Sequence, residues 1–281
     1  MGDADARRTW ELQRLADPAT GAVPDDIRRK ELAFAKGLPV RTGAKSLTWT
    51  LRGPIDRGGR TRGFAVDLGD PNTLIAGGVT GGIWRSTDAG ISWTRTSSPQ
   101  YIQNISCLRQ DPRGGQQQTW YAGTGENYGV VSGTSFSALL SGDGIFKSTD
   151  GGLSWQPLPS TVVNEPQTYT RNGSFKQVNS VVVDPTRNDS DVVLAAVFNG
   201  IFRSNDGGGS WHTVLGLDTT NASTSTYTDL QVTGTGVFYA CVSAGGPARG
   251  LWRSSDGVTW TEITPLGFPA NAERTVLAID P

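Results

Sequence analysis

The stretch Gly144-Ile145-Phe146-Lys147-Ser148-Thr149-Asp150-Gly151-Gly152-Leu153-Ser154-Trp155 constrains this chain more than any other, because it is written four times. Near-copies occupy residues 82–93, 200–211 and, in a shorter form, 250–260. Self-similarity at a long period signals a repeat architecture. The aspartates of successive copies stand 62, 56 and 50 residues apart, longer than a solenoid unit and matching one propeller blade with loop insertions.

Each copy reads as a β-hairpin. Gly-Ile-Phe/Trp-Arg/Lys-Ser alternates apolar and polar side chains, as a strand with one face in a core requires. Ser-x-Asp and the glycines after it are turn chemistry: a carboxylate that accepts local backbone N–H bonds, then residues that tolerate positive φ. The indoles of Trp93, Trp155, Trp211 and Trp260 open the return strand, each large enough to anchor a blade and each with an N–H to satisfy. Asp88, Asp150, Asp206 and Asp256 are read as structural, because they recur in every copy and a catalytic residue does not.

The pattern Ser-x-Asp-x-Gly-x-Ser/Thr-Trp resembles the Asp-box, or bacterial neuraminidase repeat, of sialidases, sortilin-type receptors and many secreted bacterial β-propellers. The resemblance continues in the strand-plus-Asp-Pro turns at 64–71, 107–112 and 181–185 and in residues 58–62 and 120–126, and it covers roughly residues 45–281. It implies an all-β propeller of four-stranded antiparallel blades, in a sortilin-like or exo-sialidase-like bacterial protein, extracellular or at the cell surface. A scaffold of this kind carries unrelated activities, so the boxes speak for fold and not for function.

Residues 1–44 have a different character. Helix formers run from Asp3 to Leu15, Asp17-Pro18-Ala19-Thr20-Gly21 breaks them, and Pro24-Asp25-Asp26 opens a second helix that Gly37 and Pro39 end. Trp10, Leu12, Leu15, Ile27, Leu32 and Phe34 are expected to pack on the outside of the propeller. Four blades follow. Their strands are predicted at 62–67, 74–78, 83–86 and 92–97 in the first, and in the others from about 105 to 158, from 178 through the third box, and from 228 through the fourth. Residues 274–279 begin a fifth, and Trp49-Thr50-Leu51 resembles the fourth strand of a blade, so the chain reads as the first part of a longer ring.

Composition narrows the functions. A net charge of −1 gives no broad basic footprint for nucleic acid, and no run is long and apolar enough for a membrane span. Cys107 and Cys241 lie far apart without a Cys-x-x-Cys, so no metal or redox cofactor is expected and both read as buried thiols. The single histidine, His212, follows a box tryptophan on an outer strand, which leaves no Ser-His-Asp triad and no multi-histidine metal site. Carboxylate chemistry remains.

Strands in an antiparallel blade alternate direction, so the box turns and the Asp-Pro turns share one face of the propeller. The long connections 124–143, 160–177, 216–227 and 265–273 all fall on the other, and long loops on a rigid scaffold are where recognition concentrates. Candidate binding residues there are Asn127, Tyr128, Gln167, Tyr169, Arg171 and Tyr227, with Arg60, Arg62 and Arg274 near the starts of inner strands. Glu126 and Asp229 form the best carboxylate pair on that face. Three readings follow: a non-catalytic propeller that binds a protein or a glycan; a glycoside hydrolase, sialidase-like or xyloglucanase-like, acting through two carboxylates; and an assembly or scaffold factor. The sialidase form is at odds with Arg52-Gly53-Pro54, which stands where an Arg-Ile-Pro would precede the first blade.

Overall fold

The computed structural model describes residues 9–10, 13–14, 16–24, 27–39, 59–101, 104–126, 140–162, 174–198, 200–216, 227–243, 248–268 and 274–279. The chain divides into two compact units, one of residues 1–58 with 164–169 and one of 59–163 with 170–281. In the first, Asp17 holds the break between helical segments: Ala19 N–H donates to its Oδ1 at 2.8 Å and Gly21 N–H to its carbonyl at 2.7 Å. The helix α1, Ile27–Gly37, follows. Leu12, Leu15 and Trp49-Thr50-Leu51 lie outside the described residues.

The second unit is a β-propeller of four-stranded antiparallel blades, and each blade is sequential in the chain. Blade 1 comprises β1 (Thr61–Val66), β2 (Leu74–Gly78), β3 (Gly82–Ser86) and β4 (Thr94–Arg95). Blade 2 comprises β5 (Ile105–Gln110), β6 (Trp120–Thr124), β7 (Ile145–Ser148) and β8 (Gln156–Pro157). Blade 3 comprises β9 (Val178–Val183), β10 (Val193–Val197), β11 (Gly200–Ser204) and β12 (His212–Leu215), and blade 4 comprises β13 (Tyr227–Val232), β14 (Phe238–Ser243), β15 (Gly250–Ser254) and β16 (Thr261–Glu262). Every outer strand begins directly after its repeat tryptophan; those of blades 1, 2 and 4 are only two residues long, and in blade 1 this is shorter than the expected 92–97. Residues 274–279 pair with no strand among the described residues, but two of their amides reach blade 4, Leu277 N–H to Asp229 Oδ2 and Thr275 N–H to Ser243 Oγ.

Three apolar clusters fill the seams between neighbouring blades. Ile75 and Ile83 meet Ile105, Trp120, Phe146 and Trp155 at the first; Tyr121 and Ile145 meet Val178, Val181 and Ala195 at the second; Leu194 and Ile201 meet Leu230, Phe238 and Ala240 at the third. A strand with a blade on each side buries both faces: all five residues of β10 are buried because blades flank it on both sides. The approach is close where the next inner strand crosses a second strand. A Cβ on Gly77 would sit 2.2 Å from Ile105 Cγ2, and one on Gly123 2.7 Å from Val178 Cγ1, so only glycine fits at either place.

The four repeated turns are built alike. In blade 1, Asp88 Oδ1 accepts from the Ser86 hydroxyl at 2.7 Å and from Ser92 N–H at 2.9 Å, while Oδ2 accepts from the Ser92 hydroxyl at 2.6 Å. Asp150 and Asp206 repeat all three contacts. Both oxygens of Asp88, Asp150 and Asp206 are thus spent inside the turn, and Asp256 Oδ1 accepts from the Ser254 hydroxyl and the Thr259 amide. Trp93 and Trp155 donate their indole N–H to the carbonyl of the glycine three residues before, at 3.0 and 3.2 Å, whereas those of Trp211 and Trp260 find no acceptor among the described residues.

Candidate functional site

The inner strands β1, β5, β9 and β13 stand side by side, and a cavity of about 300 Å³ lies between them. Hydroxyls and amides lace its wall: Asn179 Nδ2 donates to Thr228 Oγ1 at 3.1 Å, Ser180 Oγ to the Leu230 carbonyl at 2.9 Å, and Ser106 Oγ to the Val178 carbonyl. Because every inner strand starts on the long-loop face, Arg62, Ser106, Asn179 and Thr228 line the end of the cavity nearest those loops. Arg109 and Gln231, later in their strands, line the end toward the repeated turns, and Arg274 completes the ring of cations.

Asp229 is the carboxylate of this cavity. Its Oδ2 accepts from Leu277 N–H at 2.8 Å and its Oδ1 from Leu230 N–H at 2.9 Å. Burial pushes its pKa above the ordinary carboxylate value, and the two amides and the charge of Arg274 pull the other way. Glu126 is placed differently. It follows β6, bridges to Leu140 in antiparallel fashion through both backbone groups, and is almost wholly buried. Its Oε2 lies 3.4 Å from Arg62 Nε and 3.8 Å from Arg60 Nη2. Glu126 does not line the cavity, so the two carboxylates singled out from the sequence do not converge there; Arg62 is the residue that touches both environments.

Arg60 lines a different groove, over blade 1, with Phe64, Trp84 and Trp93. Tyr227 opens β13 half-buried, its carbonyl accepting from Ser243 Oγ at 3.2 Å. Asn127, Tyr128, Gln167, Tyr169 and Arg171 lie outside the described residues. Both cysteines are free, and no three metal-ligating side chains gather among the described residues. Sequence reasoning missed Arg109. The available signal is a lone cation on β5 at the position that Ala65, Val182 and Gln231 occupy in the other inner strands.

No family model matches the chain. It is 26% identical over 252 residues to a xyloglucanase of Hypocrea jecorina, an alignment spanning 82% of this chain and 29% of that protein. It is 25% identical over 257 residues to a xyloglucanase of a Paenibacillus species, spanning 83% of this chain and 24% of the relative. The chain thus matches less than a third of the length of either. Among solved structures it resembles an ancestral GH74 enzyme with a TM-score of 0.51 and 21% identity, over 73% of this chain and 25% of that one. That likeness is one of fold.

Proposed function

We propose that this chain is the propeller portion of a xyloglucanase-like glycoside hydrolase and that it handles a glycan of the xyloglucan class. The observation that carries the reading is the length of the likeness. Alignments of 252 and 257 residues to two proteins named xyloglucanase span about four blade repeats, far more than a shared turn would produce. They support the glycosidase reading over the non-catalytic one, and they favour it in its xyloglucanase-like form. An extracellular or cell-surface setting goes with a polymeric substrate.

Within the unit, Asp229 is the stronger candidate for an acid. It faces an open cavity, and its raised pKa keeps a proton closer to neutral pH, as the donor to a leaving glycosidic oxygen requires. Glu126 is better suited to positioning, because its buried carboxylate is occupied by Arg62. A second reading, glycan binding without hydrolysis, draws on one observation: glycosidases need two carboxylates flanking the scissile bond, and among the described residues this cavity holds Asp229 alone.

The experiment is an assay of reducing-end release from xyloglucan, with retention on a xyloglucan affinity gel run alongside. Turnover that falls at least about a hundredfold in Asp229→Asn bears out the enzyme. Retention without turnover selects the binding reading. Neither turnover nor retention would sink both.

A further inference from the structure

The cations around the central cavity are not equally occupied. Arg62 has Glu126 beside it, and Arg274 lies within electrostatic reach of Asp229. Arg109 has neither kind of neighbour: among the described residues no carboxylate pairs with it and no oxygen accepts from its guanidinium. The ionisable group that acts on it electrostatically is the Cys107 thiol. Burial pushes that thiol up to about 11, so it is neutral at pH 7 and supplies no counter-charge.

Arg109 is half-buried and lines the cavity, so its guanidinium is only partly removed from water, and that partial burial lowers its pKa. A partly desolvated cation that faces a cavity and has no protein counter-charge is a place where an anionic ligand completes the arrangement. The surroundings restrict what that ligand is. Gln231, likewise without a hydrogen-bond partner among the described residues, lies at the same end of the cavity. Hydroxyls and an amide from Ser106, Asn179 and Thr228 line the other end. One uncompensated positive charge in a cavity that also holds the Asp229 carboxylate matches a singly charged anion and opposes a doubly charged one. A guanidinium presents its donors in a planar fork that fits a carboxylate in bidentate fashion. A volume of about 300 Å³ is the lower end of ligand pockets and holds a molecule of monosaccharide size.

We propose that the central cavity is a binding site for a small monocarboxylate, with the carboxylate seated on Arg109 and Gln231 and any hydroxyls directed at Ser106, Asn179 and Thr228. The site shares the cavity of Asp229 with the xyloglucan reading but calls on neither the polymer nor its hydrolysis, so either reading can fail without the other. The same chemistry is borne by a sugar acid and by a simple organic acid, and the test separates them.

The test is isothermal titration of the 281-residue chain in low-chloride buffer with glucuronate, acetate, glucose and inorganic phosphate, repeated on Arg109→Gln and Arg109→Lys. Glucuronate is expected to bind and glucose not to. Arg109→Gln should weaken glucuronate at least about tenfold, and Arg109→Lys, which keeps the charge and loses the fork, should fall between. Acetate binding as tightly as glucuronate assigns the site to simple acids, and weaker acetate binding assigns it to sugar acids. Thermal melts supply a second readout: a guanidinium with no structural partner predicts that Arg109→Gln melts no lower than the parent, whereas a structural role lowers it. Absence of glucuronate and acetate binding, undiminished binding in Arg109→Gln, or phosphate binding as tight as carboxylate would each overturn the proposal.

Discussion

Blades 1 and 2 carry the same row of side chains on the same face and meet different fates. In register across the first three strands, the row is Phe64, Ala76 and Trp84 in blade 1 and Leu108, Ala122 and Phe146 in blade 2. Blade 1 covers the second row: Ala122 is fully buried and Phe146 is 4% exposed, in one cluster with Ile75 and Ile83. Phe64 and Trp84 remain 59% and 39% exposed, under a groove of about 490 Å³, and no hydrophobic cluster among the described residues includes either. The repeat thus writes two apolar faces into every blade, one for each neighbour. Burial is a property of the seam and not of the residue.

That difference is broken or sharpened most strongly by truncating one aromatic from each row. Phe146→Ala should destabilise the propeller by about 3–5 kcal/mol, the range for a buried aromatic whose cavity closes only in part. Trp84→Ala should cost less than about 1 kcal/mol, as for a surface substitution that opens no void. The denaturation midpoints in urea give both values. Equal losses would mean that the face of blade 1 is covered in solution, and the contrast would fail.

The repeated turns supply the next test, since they are alike in the two blades even though the seams are not. Hydrogen bonds from Ser92, through its hydroxyl and its amide, and from the Ser86 hydroxyl hold Asp88 down to about 2 from an ordinary 3.8. Asp256 is held at about 2 by the amides of Thr259 and Val258, and Asp150 and Asp206 are also lowered. A carboxylate whose folded pKa is depressed stabilises the fold fully above its unfolded value and loses that contribution as pH falls toward the folded one. The melting temperature should therefore decline between about pH 4 and pH 2. Asp88→Asn should flatten part of that decline, and Asp150→Asn less of it, because burial opposes the hydrogen bonds at Asp150. A decline unchanged in both variants would remove the turns as its source.

How far the sequence could be read follows the same division between local and distant contacts. The hairpins are legible because alternation, Ser-x-Asp and glycine act within a dozen residues, and β2, β3 and the inner strands start within a residue or two of their expected places. The all-β propeller and the assignment of the long connections to one face follow from the same local signals. The site is less legible because its partners come from different blades. Glu126 reads as a carboxylate facing the loops, yet whether it is open depends on Arg62, an inner-strand residue of another blade. Asp229 reads as the start of an inner strand, and its environment is set by Leu277 from a later segment. Arg109 has no local signature at all. Its importance lies in which charges fail to reach it.

The smallest effect concerns a single methyl group and returns to the same two blades. Where blade 2 has Gly151 at φ 71°, blade 1 has Ala89 at φ 56°, the one non-glycine at positive φ among the described residues. Blades 3 and 4 also place glycine there, Gly207 at 68° and Gly257 at 69°. The left-handed conformation costs an L-residue about 1–2 kcal/mol, and replacing alanine by glycine costs about 0.5–1 kcal/mol in unfolded-chain entropy. Strain outweighs entropy here, so Ala89→Gly should stabilise by a few tenths of a kcal/mol to about 1 kcal/mol. The reverse change, Gly151→Ala, should destabilise by a similar amount, because the Gln118 side-chain oxygen that a Cβ would meet at 2.7 Å is the end of an exposed side chain that can swing aside. Paired urea midpoints would decide it: a loss of stability in Ala89→Gly would show that the first turn is held by something the other three lack.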